Sequence, residues 1–418
     1  MQTLTGAGAS ARARRRKMRM SLNKTGQLVL AAAASLLAAC LVTACGTLTV
    51  DFVYVASSKA AGTNNYGEID VFEVNSESGR MRQITTSPFP SGGRNPVAEA
   101  VSTDQENLYV VNRDDNTIVQ FVIGNDGKIY PTTTVNTPGI YPIAVAVSGL
   151  HLFIVDTYQP LASCSTASPC SGSIGVYSIA ASTSSTEGGG LTGPLANGSK
   201  TYWPLTVSSG DVITPTAVVA KGSYVYVAAY DATTSSNGYI FAFSIGSNGS
   251  LTAINGGVPF AAGVQPSAIT TDSTGAYVYV TDKTSGTVLV YSASSGVLTQ
   301  LSGSPFSAGS SPSAVAIDST GKWLFVTNSV DSNLQVYSVS SGVLTSQGTY
   351  ATGTNPVAVG IDPSANQYVY TVNYGGNNVS GFSLNASTGA LVNSQYSPFS
   401  ANNEPTSVAA ITHGGTKK

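Results

Sequence analysis

The sequence predicts an all-β fold, a seven-bladed β-propeller with four-stranded blades, and three observations carry the prediction. A proline, one residue, a small residue and usually an apolar pair recur seven times, at Pro96, Pro142, Pro215, Pro266, Pro312, Pro356 and Pro405. The spacings are 46, 73, 51, 46, 44 and 49 residues, a period in the forties such as propeller blades have. Strands ending YVVN, FIVD, YVAA, YVTD, FVTN and YTVN follow the first six prolines, and YVAS precedes them all.

Each repeat reads as four strands. The innermost follows the proline, as at 97–101, 143–147 and 216–220. A turn comes next, Asp-Ser-Thr-Gly at 272–275 and 318–321. Asp can bond its own backbone two residues on, and Gly accepts positive φ. The Tyr/Phe-Val strand is second. The third, mostly apolar-x-x-aromatic-x-apolar, covers 69–74, 118–123, 174–179, 240–245, 288–293, 334–339 and 379–384. The outer strand follows a glycine, as in Gly296-Val297-Leu298-Thr299, and often ends in Ser-Pro-Phe. The β-branched and aromatic content, with turns every eight to twelve residues, suits strands throughout. One such sheet cannot bury both faces alone, whereas seven stacked radially cover one another. The strand at 52–57 has no inner strand before it, and 405–411 is an inner strand with no second strand after it. The last segment therefore fills the first blade's inner position and closes the ring.

Residues 1–45 read as a secretory leader. Arg12, Arg14, Arg15, Arg16, Lys17, Arg19 and Lys24 precede an apolar run over 28–44 that ends in Val42-Thr43-Ala44-Cys45-Gly46. That end resembles a bacterial lipobox, with Cys45 as the lipidated residue. Leu37-Ala38-Ala39-Cys40 also fits but cuts the apolar stretch short, and Met18 and Met20 are alternative starts. The expected organisation is signal 1–45, propeller 46–413 with an insertion in the third blade at about 157–172, and a disordered tail 414–418. All 21 acidic residues lie beyond Cys45 and 7 of the 19 basic ones precede it, which leaves the remainder at −9 rather than −2. Such a chain has no electrostatic footprint for nucleic acid, and it would meet a membrane only through its lipid. Cys164 and Cys170 are expected to form a disulfide outside the cytoplasm; no nearby His, Asp or Glu completes a metal site.

The repeats resemble those of the lactonase-type seven-bladed propellers and the related YVTN repeat proteins, over roughly residues 48–413. The resemblance implies a bacterial seven-bladed ring. Some members of the family hydrolyse 6-phosphogluconolactone or act on muconate lactones, and many have no assigned activity.

In propellers, the loop entering the inner strand and the loop leaving the second strand open on one mouth of the central channel. The second strands end at Ser57, Asn112, Asp156, Ala229, Asp282, Asn328 and Asn373, and the adjoining loops add Arg94, Arg113, Tyr158, Tyr230, Lys283, Tyr374 and Glu404. Asn112, Asp156, Asp282, Asn328, Asn373, Tyr230, Lys283 and Tyr374 are the candidate mouth-binding residues. Short polar side chains at strand ends also cap turns, which is the plainer role. Glu99 stands where the other repeats have Val145, Val218, Ile269, Val315, Val359 and Val408. A carboxylate in a valine position has to be paired, solvated or protonated. Arg94 and Arg113 are the expected partners. Glu99, Arg113 and Arg94 form the candidate catalytic group, with a structural ion pair as the alternative.

Several absences weigh against an enzyme. Arg113 is the last arginine, and His151 and His413 are the two histidines. A phosphorylated lactone needs cationic donors, and lactone opening needs a general base. Walker, HExxH and Gly-x-Ser-x-Gly motifs are missing, and the Gly-x-Gly-x-x-Gly at 188–193 precedes no helix. No cofactor or metal is expected. The functional expectation is a monomeric, lipid-anchored extracytoplasmic module that offers its mouth to a glycan, peptide or envelope protein. Lactone hydrolysis is the alternative.

Overall fold

The computed structural model describes residues 49–61, 64–182, 188–234, 236–363 and 365–413. The leader with Cys45, and the tail 414–418, lie outside the described residues. Among those described, seven antiparallel sheets each follow the path inner, second, third, outer. In the second blade the path is Pro96–Val101, Asn107–Asn112, Thr117–Ile123 and Ile129–Asn136.

The first blade takes its inner strand from the far end of the chain. Pro405–Thr412 pairs antiparallel with Thr49–Ala61, from Asp51↔Thr412 to Ser57↔Pro405, and completes the sheet with Tyr66–Asn75 and Met81–Gln83. Residues 307 and more apart in sequence meet here: the Thr412 backbone N–H also donates to Gln105 Oε1 of the second blade at 2.8 Å.

Every repeat proline stands opposite a residue at or near the end of a second strand: Pro96↔Asn112, Pro142↔Asp156, Pro215↔Ala229, Pro266↔Asp282, Pro312↔Asn328, Pro356↔Asn373 and Pro405↔Ser57. A register shift adjoins each pair. Proline brings no N–H to a ladder, so a strand start beside a bulge is where it costs least. The bulged residue has a second task in three blades. Ser267 Oγ donates to Pro312 O at 2.6 Å, Ser313 Oγ to Pro356 O at 2.7 Å and Thr406 Oγ1 to Pro96 O at 2.9 Å. Each links its inner strand to the next blade's.

The core lies between the sheets. One cluster joins Phe153, Val155, Ile174 and Val176 of the third blade to Val218, Val225, Val227 and Phe241 of the fourth. Another joins Tyr279, Val288 and Val290 of the fifth to Leu324, Val326 and Tyr337 of the sixth. Burying each such side chain contributes ~1.5–3 kcal/mol, and no blade can do so without its neighbour. Tyrosines in the third strands reach across the same gaps. Tyr291 donates to Ala261 O at 2.6 Å, Tyr337 to Ser307 O at 2.6 Å, and Tyr177 to Asn136 O.

The turns follow the sequence reading. Asp272 accepts from the N–H of Tyr277 at 2.8 Å, and Asp318 from those of Lys322 and Trp323 at 2.7 and 2.8 Å. Gly275 and Gly321 take φ of 74° and 72°. The outer strands depart from it. In the fifth blade Val297–Gln300 and Phe306–Ser307 both pair with Thr287–Ser294, so Ser-Pro-Phe begins a second outer piece rather than ending the first. Where the motif occurs its serine fills the gap: Ser87, Ser304 and Ser397 each accept a third-strand N–H, from Val71, Val290 and Gly381, at 2.8, 2.9 and 3.0 Å. The third and fourth blades are interrupted without it, and the second and sixth keep unbroken outer strands at Ile129–Asn136 and Val343–Ala351. Among the described residues, no helix is long and apolar enough to cross a membrane.

Candidate functional site

The second-strand termini gather at one mouth, as the repeat requires, but the Asn/Asp ring does not face the channel. Asn112, Asp156, Asp282, Asn328 and Asn373 are fully buried beneath the loops that precede the inner strands. Asn112 Nδ2 donates to Ser91 O at 3.3 Å, and Asn328 Oδ1 accepts from Gly309 N at 3.1 Å. Asn373 Nδ2 donates to Asn378 Oδ1 at 2.7 Å and Ser380 Oγ at 2.9 Å. Asp282 accepts the N–H groups of Val264, Gln265, Thr284 and Ser285 at 2.7 to 3.2 Å. These side chains shape the loops. They do not offer themselves to a ligand.

What faces solvent is an open cavity of about 650 Å³ lined by Ser58, Asn65, Arg94, Asn95, Val97, Arg113, Asp114, Tyr374, Glu404 and Thr406. Three blades supply it: the first through Ser58 and Glu404, the second through both arginines, the seventh through Tyr374. Arg94 is held by Asp115, with its Nε 2.6 Å from Oδ1 and its backbone N 2.7 Å from Oδ2, so the guanidinium pKa rises and the carboxyl falls below the usual range. Arg113 Nε meets Asp114 Oδ1 at 3.1 Å and remains half exposed, and its guanidinium lies 5.8 Å from the centre of the Tyr141 ring. Ser58 Oγ donates to Glu404 Oε2 at 3.4 Å. Burial and the neighbouring Glu404 carboxylate push the Tyr374 hydroxyl pKa up.

Glu99 is not part of this group. Its chain lies on the inner strand Pro96–Val101, and both carboxylate oxygens are enclosed without a well-formed hydrogen bond. The nearest polar groups are the Ser407 hydroxyl and the backbone of Ala409 and Ala56, all in the first blade. Burial outweighs them and raises the carboxyl well above the ordinary range. The expected ion pair with Arg94 or Arg113 is therefore replaced by Arg94–Asp115 and Arg113–Asp114. The reason is the position itself: the equivalent Val145, Val218, Ile269, Val315, Val359 and Val408 all pack against the clusters between blades, and Glu99 likewise faces the neighbouring blade rather than the mouth. Of the other named residues, Tyr374 lines the cavity, while Tyr230 is half-buried and Lys283 exposed elsewhere along the rim.

Sequence reasoning set Glu404 among the mouth loops without marking it as the glutamate that lines the cavity. A signal was present. The residue before the repeat proline adopts left-handed φ in five blades, at Asn95 (55°), Tyr141 (55°), Ser311 (59°), Asn355 (54°) and Glu404 (60°). Asn and Ser are short enough for that conformation, and Tyr and Glu are not residues one expects there. Cys164 and Cys170 form the expected disulfide. The insertion that holds it leaves Tyr158 and is tied at its base by Gln159 N to Ser171 O at 3.2 Å. His151 packs beside Phe153, and burial lowers its pKa. His413 sets its ring edge-on to Phe52, with ring centres 5.3 Å apart. No group of three or more metal-ligating side chains gathers among the described residues.

Comparison with known proteins agrees with this architecture. The family model described as "Lactonase, 7-bladed beta-propeller" matches residues 64–175 and 297–409. A Bacteroides fragilis protein provisionally assigned as a 6-phosphogluconolactonase superposes with a TM-score of 0.67 at 18% identity, over 88% of this chain and 99% of that one. The periplasmic gluconolactonase of Pseudomonas aeruginosa gives 0.67 at 17% identity, over 87% and 99%. A Lactobacillus plantarum protein gives 0.65 at 16%, over 87% and 99%. At these identities the likeness carries the fold. No curated protein matches the sequence.

Proposed function

This chain belongs to the lactonase family of seven-bladed β-propellers, and from that premise we propose that its mouth cavity binds a polyhydroxylated ligand of the sugar or sugar-acid class, as an extracytoplasmic binding module. One observation carries the reading: a single open cavity brings together Arg94, Arg113, Tyr374, Glu404, Asn65 and Asn95. Convergent amide, phenol and guanidinium groups suit hydroxyls and a single carboxylate. Both arginines already hold carboxylates, so little unpaired positive charge remains for a phosphate. Titration calorimetry with gluconate is the test. Binding weakened about tenfold by Arg113→Gln is expected; no binding to the unaltered protein would sink the proposal.

A second reading is favoured by Glu404 lying in the same cavity as the two guanidinium groups. A carboxylate there can take a proton from water attacking a lactone carbonyl, and a guanidinium can hold the oxyanion that forms. Turnover of glucono-δ-lactone that disappears in Glu404→Gln would favour hydrolysis over binding alone.

The proposal includes export and a lipid on Cys45. It is supported by the leader's basic and apolar segments and by the Cys164–Cys170 disulfide. Labelled palmitate should enter the chain and be lost in Cys45→Ala.

A further inference from the structure

The mouth is higher on one side. In the third and fourth blades the inner and second strands continue to pair beyond the proline, to Tyr158↔Ile140 and Asp231↔Ile213. In the second, fifth, sixth and seventh blades pairing ends at the proline itself. The raised edge carries Tyr141, Tyr158 and Tyr230, all half-buried. Tyr141 and Tyr158 stand edge to face, ring centres 6.1 Å apart. Their surroundings fix them. The Tyr141 N–H donates to Asn116 Oδ1 at 2.7 Å, and its carbonyl accepts from Thr157 Oγ1 at 2.8 Å. The strand beyond Tyr158 is clamped where Gly172 N donates to Ile213 O at 2.9 Å and Ser171 Oγ to Asp211 O at 3.2 Å.

Tyr141 is in a backbone conformation that does not suit it. At the same position the second and seventh blades use Asn95 and Asn355, and the sixth uses Ser311. A ring-bearing residue kept at left-handed φ, just before a proline, is strain retained at a mouth. Its ring is also the one that Arg113 covers, and Arg113 lines the polar cavity.

We propose that Tyr141 and Tyr158 form a stacking subsite for the apolar face of a pyranose ring, continuous through Arg113 with the polar cavity, so that the site takes a glycan of two or more residues. The inference rests on the reading of the mouth as a sugar or sugar-acid site. A pyranose presents axial C–H groups on one face, which meet the negative face of an aromatic ring. Tyrosine offers that surface with little side-chain entropy to lose and keeps a hydroxyl for hydrogen bonding. Arg113 then stands between the stacked ring and the next residue, where its remaining N–H groups can donate to a hydroxyl or carboxylate.

Calorimetry of the purified protein with gluconate and with lactobionate, a disaccharide acid of the same charge, tests this. Lactobionate should bind about tenfold tighter, the scale of one well-placed aromatic contact. Tyr158→Ala should erase that gain and leave gluconate binding unchanged, Tyr141→Asn should erase it too, and Tyr141→Phe should keep it. Tyr141→Asn also separates stacking from packing. Asparagine fits this backbone, so the variant should melt no lower than the parent while losing the gain. Gluconate binding without a lactobionate advantage, or an advantage that survives both ring removals, would overturn the subsite alone. Failure of both sugars to bind would overturn the mouth reading and this inference with it.

Discussion

Two aspartates at equivalent ring positions behave in opposite ways, and their partners explain why. Burial pushes the Asp282 carboxyl up, but the Ser285 hydroxyl and the N–H groups of Val264, Gln265 and Ser285 outweigh it and hold its pKa down. Asp156 is the more strongly desolvated of the two and has only the Gly139 N–H at 2.9 Å and the Thr137 hydroxyl to set against that, so its pKa rises to about 7. A carboxyl raised on folding stabilises the fold fully below its unfolded pKa and loses that contribution as pH rises through the folded value. The window for Asp156 therefore runs from about 4 to about 7. Asn112, Asn328 and Asn373 show that an amide fits this position. Asp156→Asn should stabilise the protein by about 1–3 kcal/mol at pH 8 and change little at pH 4, by denaturant unfolding at both. A variant less stable at pH 8 would mean that the ionised carboxylate is well satisfied after all.

Between blades, what holds is a seam of apolar side chains with a few hydrogen bonds across it, and Glu99 interrupts one of these seams. It faces Ser407 and Ala409 of the closing strand, and its charge is felt by Tyr54 of the same blade. Valine or isoleucine fills this position in the six other repeats. An enclosed carboxyl with imperfect hydrogen bonds costs about 1–3 kcal/mol. Glu99→Val should therefore raise the melting temperature by a few degrees, more at pH 9 than at pH 5, since its raised pKa removes stability as the group ionises. A lower melting temperature at both pH values would show the carboxyl to be a needed partner. The blades were legible in the sequence because proline, turn and Tyr/Phe-Val strand recur in fixed order, and alternation leaves few ways to pair them. The surroundings of Glu99 were not, because the sequence shows that it replaces a valine but not which groups of the closing strand it meets. The capping role of Asn112, Asp156 and their equivalents was legible as the plainer reading, and the completeness of their burial was not, since it depends on loops folding over them from the preceding strand. The two outer pieces were half legible: Ser-Pro-Phe was visible, but not the serine hydroxyl's role in the gap.

At the scale of the whole ring, one strand carries the closure. Pro405–Thr412 is the first blade's inner strand, and its Thr406 hydroxyl reaches Ala56 O at 3.1 Å and Pro96 O at 2.9 Å, touching two blades at once. Ending the chain before Pro405 should lower the melting temperature by at least about 10 °C or abolish cooperative unfolding, followed by circular dichroism. An unchanged melt would mean that the sheets hold together as an open arc. The direction of the partner strand has a further consequence. Thr49–Ala61 runs toward the mouth, since Ser57 lies there with Pro405, and Asp51 lies at the far end with Thr412. The chain therefore enters the ring on the face opposite the cavity, which opens beside Ser58 and Glu404 at the other end of the same two strands. Whatever the entering strand is joined to, the approach to the tyrosine wall stays clear of it.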